Sequence, residues 1–221
     1  SRPPRTGFAV PYFTTDDVAE FQPVAMPSGS TSVLSRVSRQ GRITLINSNL
    51  GAGFSVCEWC GWAGLRPQKR HEDPRISGRT CTGPLRTVHL GHEFLTDVLE
   101  LRFEELFDLE TANAALFALI ESSGEVGINR EEVNGTTYVH TVGSTPGLVL
   151  FDAVPGGAGH CQRLLRRLPD LIEAAYRRVA ECACDLDASC YSCLRSYRNQ
   201  RMHEQLRRGD ARRVLEKLLT R

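Results

Sequence analysis

At 221 residues, with 41% hydrophobic and 24% charged side chains, the chain has a globular balance and enough length for one sizeable core or two small ones. Its longest uncharged apolar run, Thr111 to Ile120, is far too short to span a bilayer, so no membrane partner is expected. The net charge of +1 hides an uneven spread: residues 1–92 carry eleven Lys or Arg against six acids, residues 93–152 two against twelve, and residues 162–221 fourteen against eight. Basic flanks around an acidic middle permit a nucleic-acid face, and equally an internal pairing of opposite charges. Arginine outnumbers lysine 25 to 2, a ratio read first as genome composition.

No apolar leader opens the chain, and Ser1 stands where a methionine would, which reads as a processed product or an excised piece of something larger. Residues 1–39, rich in Ser, Pro and Thr, read as a lead-in, with a short extended piece at Phe21 to Met26. From Arg42 the apolar runs Ile43 to Ile46 and Phe54 to Val56 predict two strands joined by an Asn/Gly turn, ending at Cys57-Glu-Trp-Cys60-Gly61. That CxxC has the form of a zinc knuckle: two sulfurs leave one side of a tight turn, and glycine lets backbone amides approach them. Two more ligands are needed. Cys81 is the natural third and His71, in the same polar loop, the favoured fourth. Cys161 competes with it, and His89 and His92 lie in a strand-like stretch that could place them in a core.

Leu99, Leu101 and Phe103 alternate as in a half-buried strand, and Leu109, Ala112, Leu116, Phe117 and Ile120 recur at helical spacing behind acidic residues. Asn134-Gly135 between strand-like runs predicts a hairpin turn. The unbroken run Leu148 to Phe151 suits a central strand covered on both faces. It leads through Asp152-Ala-Val-Pro-Gly156-Gly157-Ala-Gly159 into a helix that Pro169 kinks or divides. Strand, glycine loop and helix have the shape of a phosphate cradle, but the motif matches neither known fingerprint, and a tight structural crossover is the first reading. Asp152 reads as a loop cap, Cys161 as a buried thiol, and Asp210 as the cap of a last helix with a stripe at Val214, Leu215, Leu218 and Leu219.

Four thiols fall within twelve residues in Cys182-Ala-Cys184-Asp-Leu-Asp-Ala-Ser-Cys190-Tyr-Ser-Cys193. Both pairs are too close in sequence for unstrained disulfides, and a tetrahedron of thiolates is what Zn²⁺ prefers. One zinc here and a second at the early knuckle are expected. Eight cysteines without a leader favour a reducing, cytoplasmic compartment. Four thiolates on one zinc carry a charge of minus two, which Arg195, Arg198 and Arg201 would partly offset.

Taken with Thr96-Asp97-Val98-Leu99, the Asp152 to Gly159 loop, and Cys190-Tyr-Ser-Cys193-Leu194-Arg-Ser-Tyr197-Arg-Asn199-Gln200-Arg-Met-His203, residues 40–219 resemble the MrfA-type zinc-binding (MZB) domain. The resemblance implies zinc ligands at Cys182, Cys184, Cys190 and Cys193. It implies a place at the C terminus of a superfamily 2 helicase in DNA repair, or in a separate subunit beside such a motor in phage defence, as in DISARM. The early CxxC with its following His and Cys is closer to the defence branch, with its further zinc site.

The expectation is an α+β domain at residues 40–221, with a mixed sheet, packed helices, a knuckle insertion at about 57–83 and a four-cysteine module at about 182–219. The chain contains no Walker A pattern, DExH box or arginine-finger motif, so the motor belongs to another chain or to a part outside this sequence. Zinc would brace a basic surface, with Arg195, Arg198 and Arg201 as candidates, that guides DNA or docks on the motor. The rivals are a pure protein scaffold and a nuclease-like enzyme using Asp152, His160 and Cys161.

Overall fold

The computed structural model describes residues 9–15, 19–26, 33–104, 107–139 and 145–220. In chain order the strands are β1 (Ala9–Thr14), β2 (Gln22–Pro23), β3 (Val33–Asn47), β4 (Phe54–Cys57), β5 (Ala63–Gly64), β6 (His71–Glu72), β7 (Thr80–Cys81), β8 (Leu85–Val88), β9 (Leu90–Phe103), β10 (Val133–Tyr138) and β11 (Gly147–Asp152). The helices are α1 (Leu109–Ser122), α2 (His160–Arg166), α3 (Leu168–Glu181) and α4 (Arg208–Leu219). The class is α+β, and no helix among the described residues is long and apolar enough to cross a membrane. The chain divides into two units, Ser1–Pro11 with Thr44–Glu93, and Tyr12–Ile43 with Phe94–Arg221.

The larger unit holds most of a six-stranded sheet in the order β1-β3-β9-β11-β10, with β2 against β3. The stretch read as a lead-in therefore supplies β1, β2 and the first part of β3. β2 falls within the extended piece read at Phe21 to Met26; Ser, Pro and Thr hid the other two, because strands need not carry an unbroken apolar run. The apolar run Leu148 to Phe151 forms β11, fully buried and antiparallel to both β9 and β10.

β9 is buried on both faces from Thr96 to Leu101, where alternation had predicted one covered face. Its polar residues are all engaged. Thr96 donates to the carbonyls of Asp152 and Val154, Asp97 accepts the Gly159 amide, and Glu100 pairs with Arg36 at 2.6 Å while accepting from the Tyr138 hydroxyl. Buried polar groups with partners mimic a solvent face in sequence.

Asn134-Gly135 is likewise no hairpin turn, but lies inside β10, opposite Phe151 and Leu150. The glycine is there for space: a Cβ at 135 would stand 2.8 Å from Leu116 Cδ1 and 3.0 Å from Ile120 Cδ1. It thus lets α1 lie close on the sheet. α1 begins at Asp108, whose carboxylate accepts the Thr111 amide, and every residue from Thr111 to Ser122 is buried. Such a helix is covered all round.

α3 and α4 join α1 in the apolar core, where full burial of each leucine, among them Leu116, Leu171 and Leu215, is worth about 1.5–3 kcal/mol. Pro169 stands in the first turn of α3, just past the break at Arg167, where a missing amide costs nothing. α4 starts at Arg208, two residues before the expected cap. Asp210 instead lies in its first turn and accepts from Arg213.

The smaller unit holds two short sheets, β5-β4-β8 and β6-β7. The strands at Ile43 to Ile46 and Phe54 to Val56 do not pair with each other: β3 belongs to the large sheet and β4 to the small one. The turn between them folds on Ser48, whose carbonyl accepts the Gly51 and Gly53 amides.

Candidate metal centres

The first centre grows out of the end of β4. Val56 and Cys57 alternate faces, so Cys57 turns away from the Val56–Arg86 face of the small sheet, and the chain then curls through Gly61 at φ 75°, whose amide donates to the Cys57 carbonyl. β6 and β7 pair His71 directly with Cys81. The outcome is one group of Cys57, Cys60, His71 and Cys81, whose donor atoms all lie within 4.8 Å of one another.

Cys57 Sγ is 3.8 Å from Cys81 Sγ, and Cys60 Sγ is 3.2 Å from His71 Nε2. A regular tetrahedron with Zn–S bonds of about 2.3 Å spaces its sulfurs by about 3.8 Å. His71 Nδ1 lies 2.9 Å from the Gln68 carbonyl, which fixes the ring and leaves Nε2 as the free donor, while Trp62 stacks on it at 4.7 Å. Burial works to raise the Cys57 thiol, yet the amides of Cys60 and Trp59 and the neighbouring thiol and imidazole outweigh it and hold the group at about 6. The Gln68 carbonyl raises His71, against its burial.

Cys182, Cys184, Cys190 and Cys193 form the second group, again within 4.8 Å. The sulfurs are 3.6 Å apart for Cys182–Cys184, 3.5 Å for Cys182–Cys190, 3.7 Å for Cys184–Cys193 and 3.9 Å for Cys190–Cys193. All eight cysteines are unbridged. Cys182 caps the C terminus of α3, and Cys193 is fully buried in the apolar core. Burial pushes Cys193 up to about 12. For Cys190 burial also acts upward, but the Ser192 amide and the adjacent thiols bring it down to about 7. Each group has the donors and spacing to hold zinc, and loading either one must displace thiol protons.

Cys161 belongs to neither group. Its thiol is fully buried, facing the Asp97 and Leu150 carbonyls, and burial raises it well above the usual range, which is the reverse of an activated nucleophile. His89 and His92 are exposed and outside the first group, not placed in a core. Asp152 is spent as a cap: its carboxylate accepts the amides of Ala158, His160 and Cys161 at 2.6, 3.0 and 2.9 Å. The amides of a phosphate cradle are thus already taken by carboxylates, Asp152 together with Asp97 on the Gly159 amide, and both carboxylates are buried.

The arginines after Cys193 differ in placement. Arg195 donates to Ser189 Oγ and the His203 carbonyl. Arg198 reaches the carbonyls of Arg130, Glu131 and Val133 and the Glu131 carboxylate. Arg201 is exposed.

Three other residues organise this region. Buried Asn199 donates to the Leu194 carbonyl, and its amide oxygen accepts the Ser196 amide. His203 Nε2 lies 2.9 Å from Asn199 Oδ1. Arg208, 7% exposed, donates to the carbonyls of Val179 at 2.7 Å and Cys184 at 2.6 Å, a buried cation beside the four thiols. Its only sequence signal is an arginine just ahead of an apolar helical stripe.

The sequence model of the MrfA Zn-binding domain family (MZB) matches residues 114–194. The Druantia protein DruE of Escherichia coli (strain UMEA 4076-1) is 29% identical over 194 residues, covering 73% of this chain and 10% of its own length. A crystal structure of the DUF1998 helicase MrfA bound to DNA superposes with a TM-score of 0.55 and 13% identity, over 95% of this chain and 25% of that one. At that identity the likeness is one of fold. The chain therefore spans about a tenth of the curated relative and a quarter of the helicase.

Proposed function

We propose that this chain, which carries an MrfA Zn-binding domain, is the zinc-braced accessory part of a cytoplasmic DNA helicase system, assisting nucleic-acid binding beside a superfamily 2 motor in phage defence. The observation that carries this reading is the match at residues 114–194, because that stretch contains the whole four-cysteine group together with α3, which delivers Cys182 to it. Support for the setting comes from the Druantia relative, and support for a helicase context from the fold shared with MrfA. The working unit is residues 40–221, with the knuckle insertion and C-terminal module, extended to take in β1, β2 and all of β3, and the eight clustered Cys and His residues are its zinc ligands.

In this reading Arg195 and Arg198 act mainly as struts, since their guanidinium groups are bonded within the fold, and Arg201 is left to meet a phosphate. The test is a titration of the zinc-loaded chain with labelled single-stranded and duplex DNA between 50 and 200 mM salt. Binding that weakens steeply with salt, and weakens further in Arg201→Glu, is expected. No binding of either DNA at low salt, with a helicase motor retained on the chain at high salt, would replace the reading with that of a protein scaffold.

A further inference from the structure

The knuckle unit holds more basic and aromatic surface than its own structure uses. One arginine is structural: Arg75 pairs with buried Asp73 at 3.2 Å and donates to the Trp59 carbonyl at 2.9 Å. One tryptophan is structural as well, Trp62 on His71. By contrast Arg66, Lys69, Arg70 and Arg79 are exposed, and among the described residues their side chains make no hydrogen bond or ion pair. Arg70 and Arg79 line one open depression of about 480 Å³ together with Gln68, His71, Gly78 and Thr80. Glu72, the carboxylate of that lining, accepts the Gly78 amide.

Trp59 is 66% exposed, yet it is not loose. Its ring lies so close over Gly83 that a Cβ there would stand 2.9 Å from Trp59 Cδ2, and Arg75 holds its carbonyl. The indole therefore packs on Gly83 while most of its surface stays open to solvent.

We propose that the knuckle is a contact for single-stranded nucleic acid, in which Arg70 and Arg79 hold backbone phosphate in the depression and Trp59 stacks on an unpaired base. Guanidinium groups suit phosphate oxygens, and a rigid indole accepts any base, but only one freed from its own stack. The inference rests on the nucleic-acid reading above and names where on the chain it acts. It lies outside the stretch that matches the family model.

The test uses the whole zinc-loaded chain with an oligothymidylate, the matching ribo-oligomer and a duplex of equal length. In a Trp62→Phe background, Trp59 is the remaining tryptophan, and its fluorescence should fall on adding either single strand but not the duplex. Trp59→Ala should weaken single-strand binding roughly tenfold with the zinc content unchanged. The Arg70→Ala, Arg79→Ala pair should lower the slope of log affinity against log salt by about 0.7 for each phosphate contact removed. Binding that matches the parent in both variants, with Trp59 fluorescence unmoved, overturns the knuckle contact and leaves the helicase-accessory reading standing. A parent chain that binds no strand at all overturns both.

Discussion

Cys57, Cys60, His71 and Cys81 close over a stretch in which, from Thr44 to Glu93, no Val, Leu, Ile, Phe or Trp side chain is fully buried. Cys182, Cys184, Cys190 and Cys193 stand instead against a core that includes Leu171, Val179, Leu194, Leu206 and Leu215. The donors are almost the same, but the burden differs. In the smaller unit strands of two to four residues and turns cannot offset the chain entropy they lose, so a metal must stand in for the core. In the larger unit the core exists without it, and a metal orders the segment between α3 and α4. The same chemistry is thus a foundation in one place and a fastening in the other.

The largest effect should come from removing one ligand of each centre in turn. Cys60→Ser is expected to lower the zinc content from two ions to one and abolish amide exchange protection from about residue 54 to 88, while α1, α3 and α4 keep theirs. Cys190→Ser should lose the other ion yet retain protection in those helices, loosening residues 182–207 alone. Hydrogen exchange with mass detection reads both. A knuckle that stays protected without its metal would break the contrast.

A smaller effect belongs to Arg208, the cation that ties Val179 and Cys184 to α4. Arg208→Met is expected to cost about 2–3 kcal/mol in urea unfolding of the larger unit, because two carbonyls lose a charged donor in a buried place. Chelator should then strip the four-cysteine site faster, with the CCHC site released at its original rate. Equal acceleration at both sites would show that the two centres are not independent.

These contrasts also mark what could be read from the chain. The six thiols at short spacing were legible because such pairs leave few alternatives, while Cys81 and His71 were favoured over rivals that the spacing left open, and β11 was legible because a run of four apolar residues has one natural place. Asn134-Gly135 misled, since the same glycine that makes a turn also clears room for Leu116 and Ile120 of α1. β9 misled because Thr96, Asp97 and Glu100 imitate a wet face while their partners arrive from residues up to 64 positions away. β1 was missed because Pro11 interrupts its short apolar run in a stretch rich in Ser, Pro and Thr, whereas β2 falls inside the extended piece read at Phe21 to Met26. The local partners of Arg195 and Arg198 could not be named from the chain, because their acceptors are mostly backbone carbonyls, which no side-chain pattern announces.

The smallest effect tests whether the larger unit's helices draw stability from ordinary capping. Asp108 accepts the amide and hydroxyl of Thr111, which lowers its pKa below the usual carboxylate value. A folded-state pKa below the unfolded one means the contribution is fully present above about pH 4 and fades as pH falls through the folded value. Asp108→Ala should therefore cost about 1 kcal/mol at neutral pH and almost nothing in strong acid. Asp108→Asn should keep the neutral stability, since an amide oxygen also caps, and its difference from the parent, in which acid release of metal cancels, should grow only below pH 4 and in favour of the variant. Both should hold two zinc ions at pH 7. A change in zinc content in either would tie α1 to a metal centre and erase the distinction between core and fastening.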